Sequence, residues 1–381
     1  MKPDDFKEPK AGKLVPAIQG FAFVPAPLPP SNLDLAPLVP LLSRATHALG
    51  ELSGIGRTLQ NPLLLIRPFM RREAVASSKI EGTVTNLSEL FLFEVGKETG
   101  NAPADAREVF NYVRALERAL SLLPELPISS RLIKEAHNVL MQGVQPHRGA
   151  AIIPGEFRTD QNWIGARPIE NARYVPPPPA EALNAMSDLE KYINNLNPQL
   201  PTLVHIALIH YQFEAIHPFP DGNGRVGRLL IPLILCERKE MSEPLLYLSS
   251  YFEKNYDDYI DKMLAVSQLG LWESWIEFVL AGVEQACQDA ISRAGLLLRL
   301  QSTYRQTIQQ ARSSALLGRL IDMLFENPAI NIPYAANKLG ISYNAAKNNV
   351  EVVVGHQILR PGPEDMRPRF FFAQAIIDIM S

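Results

Sequence analysis

The segment from His217 to Arg228 combines, within twelve residues, groups that could bind a nucleotide polyphosphate with its metal and activate a hydroxyl beside it. An imidazole is neutral near pH 7 and can accept a hydroxyl proton, which is a role that His217 could fill. Asp221 supplies hard carboxylate oxygens of the kind that Mg²⁺ prefers. The Gly-Asn-Gly sequence at 222–224 tolerates positive φ, so its N–H groups can converge on one anion.

Two arginines follow at the start of a predicted helix. Arg225 and Arg228 are three residues apart and therefore project from the same helix face. A helix N-terminus attracts anions through its free N–H groups and its dipole, and the fork of a guanidinium suits phosphate oxygens. No fold requires these residue types in this order, so the segment indicates a function.

The neighbouring elements are predicted to hold this segment in place. Hydrophobic periodicity predicts a helix over 201–216 that delivers His217 into a loop, and Pro218 prevents the helix from continuing. A further helix is predicted over 68–81, with Gly82 as its C-terminal stop. The same periodicity predicts the other helices of the central region: 105–123, 129–141, 180–195, 225–238, 256–268 and 271–300.

The segments outside these helices have other patterns. Six prolines between positions 25 and 40 exclude a regular helix and predict an extended arm over 1–40. Aromatic and β-branched residues with glycines predict a hairpin over 155–175. From about 314, a helix over 316–326, a helix–turn–helix with Ser342 as N-cap, and short strands around 358–359 and 370–372 suggest a winged helix.

These patterns divide the chain into five predicted parts. They are an extended proline-rich arm, an N-terminal helical region, a helical core, a linking helix and a winged-helix-like domain. In the same order, their boundaries are 1–40, 41–115, 116–290, 291–313 and 314–381.

Composition narrows the class of protein. The 381 residues carry a net charge of −3 and are 46% hydrophobic, as in an ordinary globular protein. Cys236 and Cys287 lie in apolar helical patterns and are expected to be reduced, and no signal sequence or membrane-spanning run is recognisable, so we expect a cytoplasmic location and no membrane partner. Residues 315–381 contain six basic and six acidic residues. Since DNA binding usually needs a basic face, we expect a protein-interaction or structural role there.

Residues 217–228 resemble the signature of Fic-domain proteins, His-x-Phe-x-Asp/Glu-Gly-Asn-Gly-Arg-x-x-Arg, at every specified position. The resemblance implies a mainly α fold, with a Fic helical-bundle core and a small β-hairpin flap, and transfer of a nucleotide monophosphate, usually AMP from ATP, to a protein hydroxyl. It implies His217 as general base and Asp221 as the Mg²⁺ ligand. The other motif residues are implied to anchor the loop (Phe219), cradle the phosphates (Gly222, Asn223, Gly224), neutralise the α- and β-phosphates (Arg225) and meet the γ-phosphate (Arg228).

A second segment, from Ser77 to Gly82, resembles the inhibitory Ser/Thr-x-x-x-Glu-Gly/Asn motif of Fic proteins. Glu81 lies at a predicted helix C-terminus, where a carboxylate opposes the dipole and needs a cation. We expect that cation to be Arg228, which could then not hold a γ-phosphate. Ser77, one turn earlier, is expected to hydrogen-bond Glu81 or steady the loop. In some family members this glutamate also aligns a water that removes AMP.

Residues 155–158 and 162–165 resemble the flap hairpin of Fic proteins, which covers the nucleotide and aligns the target's backbone by strand addition. Tyr259 and Gln268, or a neighbour, are expected near the base. Trp163 is expected to be partly exposed. The residues expected to lie over the adenosine are Asn162, Trp163, Ile164 and Gly165. The candidate self-modification sites are Tyr251, Tyr256 and Tyr259.

The expected function is therefore that of a Mg²⁺-dependent protein adenylyltransferase. It would transfer AMP from ATP to a Tyr, Thr or Ser hydroxyl of a target protein or of itself, and Glu81 would inhibit it. Because many family members dimerise, a homodimer is expected. Three alternatives stay open: a Fic transferase that uses another nucleotide or group or also removes AMP, a nucleotide-sensing DNA-binding regulator, and a degenerate binding module, which the complete motif disfavours.

Overall fold

The computed structural model describes residues 1–59, 61–96, 104–144, 153–165, 171–195, 199–310, 315–363 and 368–381. Within these ranges the fold is mainly α, as the sequence predicts. The α-helices are α1 (Val39–Thr58), α2 (Leu63–Ile80), α3 (Leu87–Val95), α4 (Ala104–Leu122), α5 (Ser130–Leu140), α6 (Pro179–Asn194), α7 (Thr202–Ile216), α8 (Asn223–Glu237), α9 (Ser249–Lys254), α10 (Tyr256–Leu269), α11 (Trp272–Gln310), α12 (Ala315–Glu326), α13 (Ile332–Leu339), α14 (Tyr343–Gly355) and α15 (Gln374–Met380).

In the described residues, three small antiparallel sheets accompany the helices. The strands are β1 (Gly12–Pro16), β2 (Phe21–Pro25), β3 (Ile164–Gly165), β4 (Ala172–Tyr174), β5 (Ala329–Asn331), β6 (Arg360–Pro361) and β7 (Phe370–Phe372). β1 pairs with β2, β3 pairs with β4, and the third sheet has the order β5-β7-β6. No helix among the described residues is long and apolar enough to cross a membrane.

Helices α7 and α8 form the centre of the core. Nearly every residue of both helices is buried, so each is hydrophobic on all sides, as a helix surrounded by others must be. The indole of Trp275 on α11 donates to the Ala207 carbonyl of α7 over 2.8 Å, which fixes the long helix against the core. The loop between α7 and α8 therefore begins and ends on rigid elements.

Helix α2 begins at Leu63, five residues before the predicted start, and Pro68 lies inside it. A proline within a helix removes one backbone hydrogen bond and costs about 3 kcal/mol. Burial of the apolar residues on both sides of Pro68, among them Leu65 and Phe69, offsets that cost. The C-terminal end is as predicted: Glu81 is the C-cap and Gly82 has a φ of +93°.

The N-terminal region differs from the predicted extended arm. Strands β1 and β2 form a hairpin, and the first prolines lie at strand ends, where a missing N–H is tolerated. The hairpin is anchored on the core, since Phe23 N–H donates to the Val175 carbonyl over 2.9 Å. Helix α1 begins at Val39, so Pro40 lies in its first turn, where proline is accepted.

The predicted hairpin over 155–175 is shorter in the structure. Its strands are β3 and β4, paired antiparallel through Ile164 with Tyr174 and Gly165 with Ala172. Residues 166–170 between the strands lie outside the described residues.

The long helix α11 crosses two predicted limits. The predicted helix end at Leu300 and the predicted boundary between core and linking helix at 290 both fall inside it. The apolar stripe continues through Leu297, Tyr304 and Ile308, which are all buried, so no physical signal ends the helix there. Residues 311–314 lie outside the described part of the chain.

The C-terminal region contains the predicted helix, helix–turn–helix and two short strands, together with strand β5, which was not predicted. Ser342 accepts from the Ala345 N–H over 3.3 Å as the N-cap of α14, as predicted. The strand expected at 358–359 lies two residues later, at β6, and Ile358 and Leu359 before it are buried in the core. Helix α15, which was not predicted, packs its apolar face against α11 and α2.

Candidate active site

The loop between α7 and α8 places the motif in a concave turn. His217 ends α7 with a φ of +51°, a left-handed conformation that is uncommon for a residue other than glycine. Gly222 has a φ of +79° and caps α8. Asn223 locks the loop, since its Oδ1 accepts from Phe219 N–H and its Nδ2 donates to the Phe219 carbonyl, both over 2.8 Å. The N-terminus of α8 therefore opens toward one side of the loop.

Phe219 anchors the loop, as the motif implies, but its side chain lies away from the cleft. The ring is completely buried and stacks on His137 at a centroid distance of 3.7 Å. Buried Arg158 supports the same loop by donating from Nε to the His217 carbonyl over 2.9 Å. Phe219 therefore holds the backbone that carries the other motif residues, and its side chain does not line the cleft.

The His217 ring is oriented for proton acceptance. Its Nδ1 lies 3.3 Å from the Glu214 carbonyl, which can only accept, so Nδ1 carries the proton and Nε2 is left as the acceptor. Burial lowers the pKa of His217 to about 4, and the nearby Arg158 guanidinium acts in the same direction. The imidazole is therefore neutral at physiological pH and lines the cleft with a free base.

Arg228 is held by the helix that precedes the core. Its Nη2 donates to Glu81 Oε1 over 2.7 Å and to the Ser77 carbonyl over 2.9 Å. Its Nε donates to Ser77 Oγ over 2.9 Å. Ser77 therefore contacts Arg228 itself, whereas the sequence suggested that it bonds Glu81 or steadies the loop. Both residues of the second motif converge on one buried guanidinium.

The Glu81 carboxylate also occupies the mouth of the α8 N-terminus. A Cβ built at Gly224 would overlap Glu81 Oε1 and would lie 2.9 Å from Arg228 Nη1, so only glycine fits beneath this pair. Burial opposes ionisation of Glu81, but the charges of Arg228 and then Arg225 outweigh it and hold the pKa of Glu81 below its usual value. The carboxylate therefore lies where an anion would meet the helix N-terminus.

Arg225 has a different partner, which the sequence did not reveal. Its Nη1 pairs with Glu108 of α4, and both side chains are buried. Its Nη2 lies 3.4 Å from Asp221 Oδ1, which also accepts the Gly222 N–H over 2.6 Å. Glu108 is a charged residue within the buried, otherwise mostly apolar face of α4. A charged residue at such a position was the only sign of its role in the sequence. Arg225 and Asp221 are thus positioned together at the cleft.

A cleft of about 470 Å³ joins these groups. It is lined by most of the predicted residues: Glu81, Asn162, Trp163, Ile164, His217, Asp221, Gly222, Asn223, Gly224, Arg225, Arg228 and Tyr259. Trp163 is partly exposed, as expected. Gly165 and Gln268 do not line it: Gly165 is exposed on the flap strand, and the Gln268 carbonyl binds the N–H groups of Lys7 and Glu8. Ser267, the neighbour of Gln268, lines the cleft instead.

Glu214 is a cleft residue that the motif does not include. It lines the cleft from α7, and its Oε1 is shielded from solvent without a hydrogen-bond partner. Burial raises the pKa of Glu214 to about 8, while Arg228 opposes the shift and Glu81 adds to it. In the sequence, only its position three residues before His217 pointed to Glu214 as a cleft residue, and no spacing rule assigns a role to that position.

Comparison with known proteins agrees with this geometry. The model of the Fic/DOC family N-terminal region matches residues 39–121, and the Fic/DOC family model matches residues 127–235, so together they cover just over half of the chain. The chain therefore belongs to the Fic/DOC family.

Similar proteins include the protein adenylyltransferases Fic of Drosophila erecta and Drosophila willistoni, which are 34% and 35% identical over 116 residues. Each match covers 30% of this chain and 21% of the relative, so the match spans about a fifth of the relatives' length. A Fic family protein from Desulfovibrio desulfuricans has the same fold, with a TM-score of 0.57 at 22% identity over 91% of this chain and 98% of that one. A Fic domain containing signaling protein from Bacteroides thetaiotaomicron aligns with a TM-score of 0.52 at 21% identity, over 67% of this chain and 97% of that one.

Proposed function

We propose that this chain is a Mg²⁺-dependent protein adenylyltransferase that transfers AMP from ATP to the hydroxyl of a Tyr, Thr or Ser residue. The observation that carries the proposal is that an imidazole nitrogen free to accept a proton, two buried arginines and the N-terminus of α8 line one cleft. The names of the Drosophila relatives support the same activity.

In this proposal His217 Nε2 takes the proton of the target hydroxyl. The hydroxyl oxygen then bonds to the α-phosphorus, and the bond from that phosphorus to the bridging oxygen of the β-phosphate breaks, which releases pyrophosphate. The N–H groups at the start of α8 and the guanidiniums of Arg225 and Arg228 stabilise the phosphate charge. The chain contributes mainly position and electrostatic stabilisation to the transfer.

Asp221 fits the part of a Mg²⁺ ligand. Its carboxylate is half-buried at the mouth of the cleft, beside Arg225 and the α8 N-terminus. Proteins commonly hold Mg²⁺ with one or two carboxylates together with substrate phosphates. Among the described residues no group of three or more His, Cys, Asp or Glu side chains is arranged so that it could hold a metal ion by itself. When bound, the metal would neutralise phosphate charge, and Asp221 would hold it.

The proposal includes inhibition by Glu81. Its carboxylate accepts from Arg228 over 2.7 Å and lies over Gly224, so it takes both the cation and the space that a γ-phosphate would use. ATP would bind with its α-phosphate displaced from His217 until Glu81 moves away. Ser77, from the same helix, strengthens the hold on Arg228.

The acceptor side of the proposal concerns the flap and a nearby tyrosine. A target segment would pair with the short strand β3, and strand addition would align its hydroxyl with His217. Of the three candidate self-modification sites, Tyr259 is buried and Tyr251 is half-buried. Tyr256 is 46% exposed and lines the cleft, so we expect peptide mapping to find self-attached AMP there.

Two forms of labelled nucleotide test the reaction. AMP transfer from ATP leaves an α-phosphate label on protein and no γ-phosphate label, whereas phosphoryl transfer gives the opposite pattern. The Glu81→Gly variant with Mg²⁺ and a cell lysate is the preparation to use. Competition by unlabelled GTP, CTP and UTP identifies the base, and ATP is expected to compete best. A γ-label on protein, or stronger competition by another nucleotide, would contradict the proposal.

A further inference from the structure

Arg228 has neighbours on two sides that belong to different parts of the molecule. Ser77 and Glu81 hold it from α2, the helix that carries the inhibitory motif. Tyr259, on α10, is buried in the wall of the same cleft, where its hydroxyl interacts with the Arg228 guanidinium. When Glu81 leaves, the contacts from α2 are weakened, and the neighbours that remain from the core include Tyr259 of α10 and Glu214 of α7.

Tyr259 is in turn fixed by His210. The Tyr259 hydroxyl lies 2.8 Å from His210 Nε2, and His210 Nδ1 lies 3.1 Å from the Gly227 carbonyl. Because a carbonyl can only accept, the proton of His210 is on Nδ1, and Nε2 has none. The Tyr259 hydroxyl must therefore donate to Nε2, which leaves its oxygen lone pairs for an incoming donor.

The surroundings keep this arrangement in one state. His210 is buried, its ring stacks on Phe252 and Trp275 at centroid distances of 5.6 and 6.0 Å, and burial lowers its pKa to about 3. Phe252 also stacks on Tyr259 at 4.5 Å. A neutral imidazole with one defined tautomer gives the hydroxyl one defined direction.

We propose that His210 and Tyr259 are positioning residues that keep the Arg228 guanidinium in its phosphate-binding place once Glu81 has left. His210 would orient the hydroxyl, and the lone pairs of its oxygen would accept from the guanidinium. The inference rests on the proposed function, since it assigns Arg228 to the γ-phosphate of ATP. It also changes the expectation for Tyr259, which the sequence placed near the base.

The chain provides a matched control for the test. Tyr192 is also buried, and its hydroxyl lies 2.6 Å from Nδ1 of His205 on the same helix α7, yet neither residue lines the cleft. Tyr192→Phe and Tyr259→Phe thus each remove one hydroxyl from a buried Tyr–His pair. His210→Gln keeps one donor and one acceptor, whereas His210→Leu removes both.

The experiment measures the Kd of ATP and of ADP by titration calorimetry with Mg²⁺, in the Glu81→Gly background. Tyr259→Phe and His210→Leu are expected to weaken ATP binding about tenfold, the effect of one hydrogen bond to a charged group, and to leave ADP binding within about twofold. Tyr192→Phe should change neither, and His210→Gln should retain most of the ATP affinity.

Three outcomes would overturn the inference. If Tyr259→Phe weakened the binding of ATP and of ADP equally, Tyr259 would contact the base, as the sequence suggested. If it left ATP binding unchanged, Tyr259 would have no role in positioning Arg228. If Tyr192→Phe weakened ATP binding as much as Tyr259→Phe, the effect would come from losing a buried hydroxyl and not from its position beside Arg228. If the Glu81→Gly parent binds neither nucleotide, the proposed function itself fails. Tyr259→Phe deletes one oxygen only, so it decides the question even where His210→Leu does not fold.

Discussion

Arg228 Nη2 and Glu81 Oε1 lie 2.7 Å apart, although 147 residues separate them in the sequence. The guanidinium is almost fully buried, and the carboxylate is about one-third exposed to the cleft. An arginine in this position needs a counter-charge, which either a carboxylate or a phosphate can supply. The two partners therefore compete for one cation, and α2 carries the partner that is always present.

Ser77 provides a way to weaken this contact without touching the carboxylate. Its Oγ accepts from Arg228 Nε over 2.9 Å. We expect Ser77→Ala to raise basal AMP transfer by up to about tenfold, since a hydrogen bond to a charged group contributes roughly 1.5 kcal/mol to the inhibited state. Ser78→Ala is the control, because Ser78 Oγ is equally buried but has no hydrogen-bond partner. Equal rates in the two variants would exclude a role for Ser77 in inhibition.

The C-terminal elements also contact the inhibitory helix. Arg67 of α2 pairs with Glu326 of α12 over 2.5 Å, and Arg72 of α2 pairs with Asp289 of α11 over 2.7 Å. We expect Arg67→Glu to raise basal transfer roughly threefold, because α2 loses an attachment that keeps Glu81 in place. The double variant Arg67→Glu/Glu326→Arg should restore the low rate by exchanging the charges.

Two comparisons distinguish this effect from general destabilisation. Arg305→Glu breaks a pair with Asp322 that joins α11 to α12 without touching α2, and it should leave the rate unchanged. In the Glu81→Gly background, Arg67→Glu should add nothing, since no inhibitory carboxylate remains. An increase in both backgrounds would show that the pair acts elsewhere.

The pKa of His217 sets the expected pH dependence of AMP transfer. Burial, and then Arg158, lower its pKa to about 4, and only the neutral imidazole can accept a proton. The measurement is kcat/KM in the Glu81→Gly variant. Because His217 stays neutral there, its titration should not change kcat/KM between pH 6 and 8, and kcat/KM should fall as the pH drops through about 4. An acid limb centred near the ordinary histidine value of about 6.5 would contradict this environment.

The proposed role of Asp221 as the Mg²⁺ ligand leads to a prediction for the Mg²⁺ dependence of AMP transfer. Asp221→Asn keeps an oxygen that can accept the Gly222 N–H, so the loop should hold its shape while the charge is lost. We expect the variant to need roughly tenfold or more Mg²⁺ for half-maximal transfer in the Glu81→Gly background. An unchanged thermal unfolding midpoint is the control for the fold. An unchanged Mg²⁺ requirement would exclude Asp221 as the ligand.

The parts of the site that lie close together in sequence were predictable. The loop over 217–228 is positioned by its own prolines, glycines and Asn223, so local rules apply to it. Helices with a strong apolar stripe were also placed to within a few residues. Glu81 and Arg228 could be joined only through the family resemblance, because no local rule links residues so far apart.

The remaining contacts depend on tertiary packing. Glu108 reaches Arg225 across 117 residues, and Tyr259 reaches His210 across 49. A buried polar residue must find a partner, but the sequence does not state which one the fold brings near. Pro68 misled the prediction of α2 for a related reason, since burial of neighbouring apolar residues offset a local penalty.

AMP transfer through His217 and its inhibition by Glu81 are tested most directly by one assay. It measures AMP incorporation from α-labelled ATP with Mg²⁺ by the wild type, Glu81→Gly and Glu81→Gly/His217→Ala. Target lysate is included in each reaction. We expect little label with the wild type, at least tenfold more with Glu81→Gly, and none with the double variant. Equal label with the wild type and Glu81→Gly would contradict the inhibition, and label that persists without His217 would contradict the proposed chemistry.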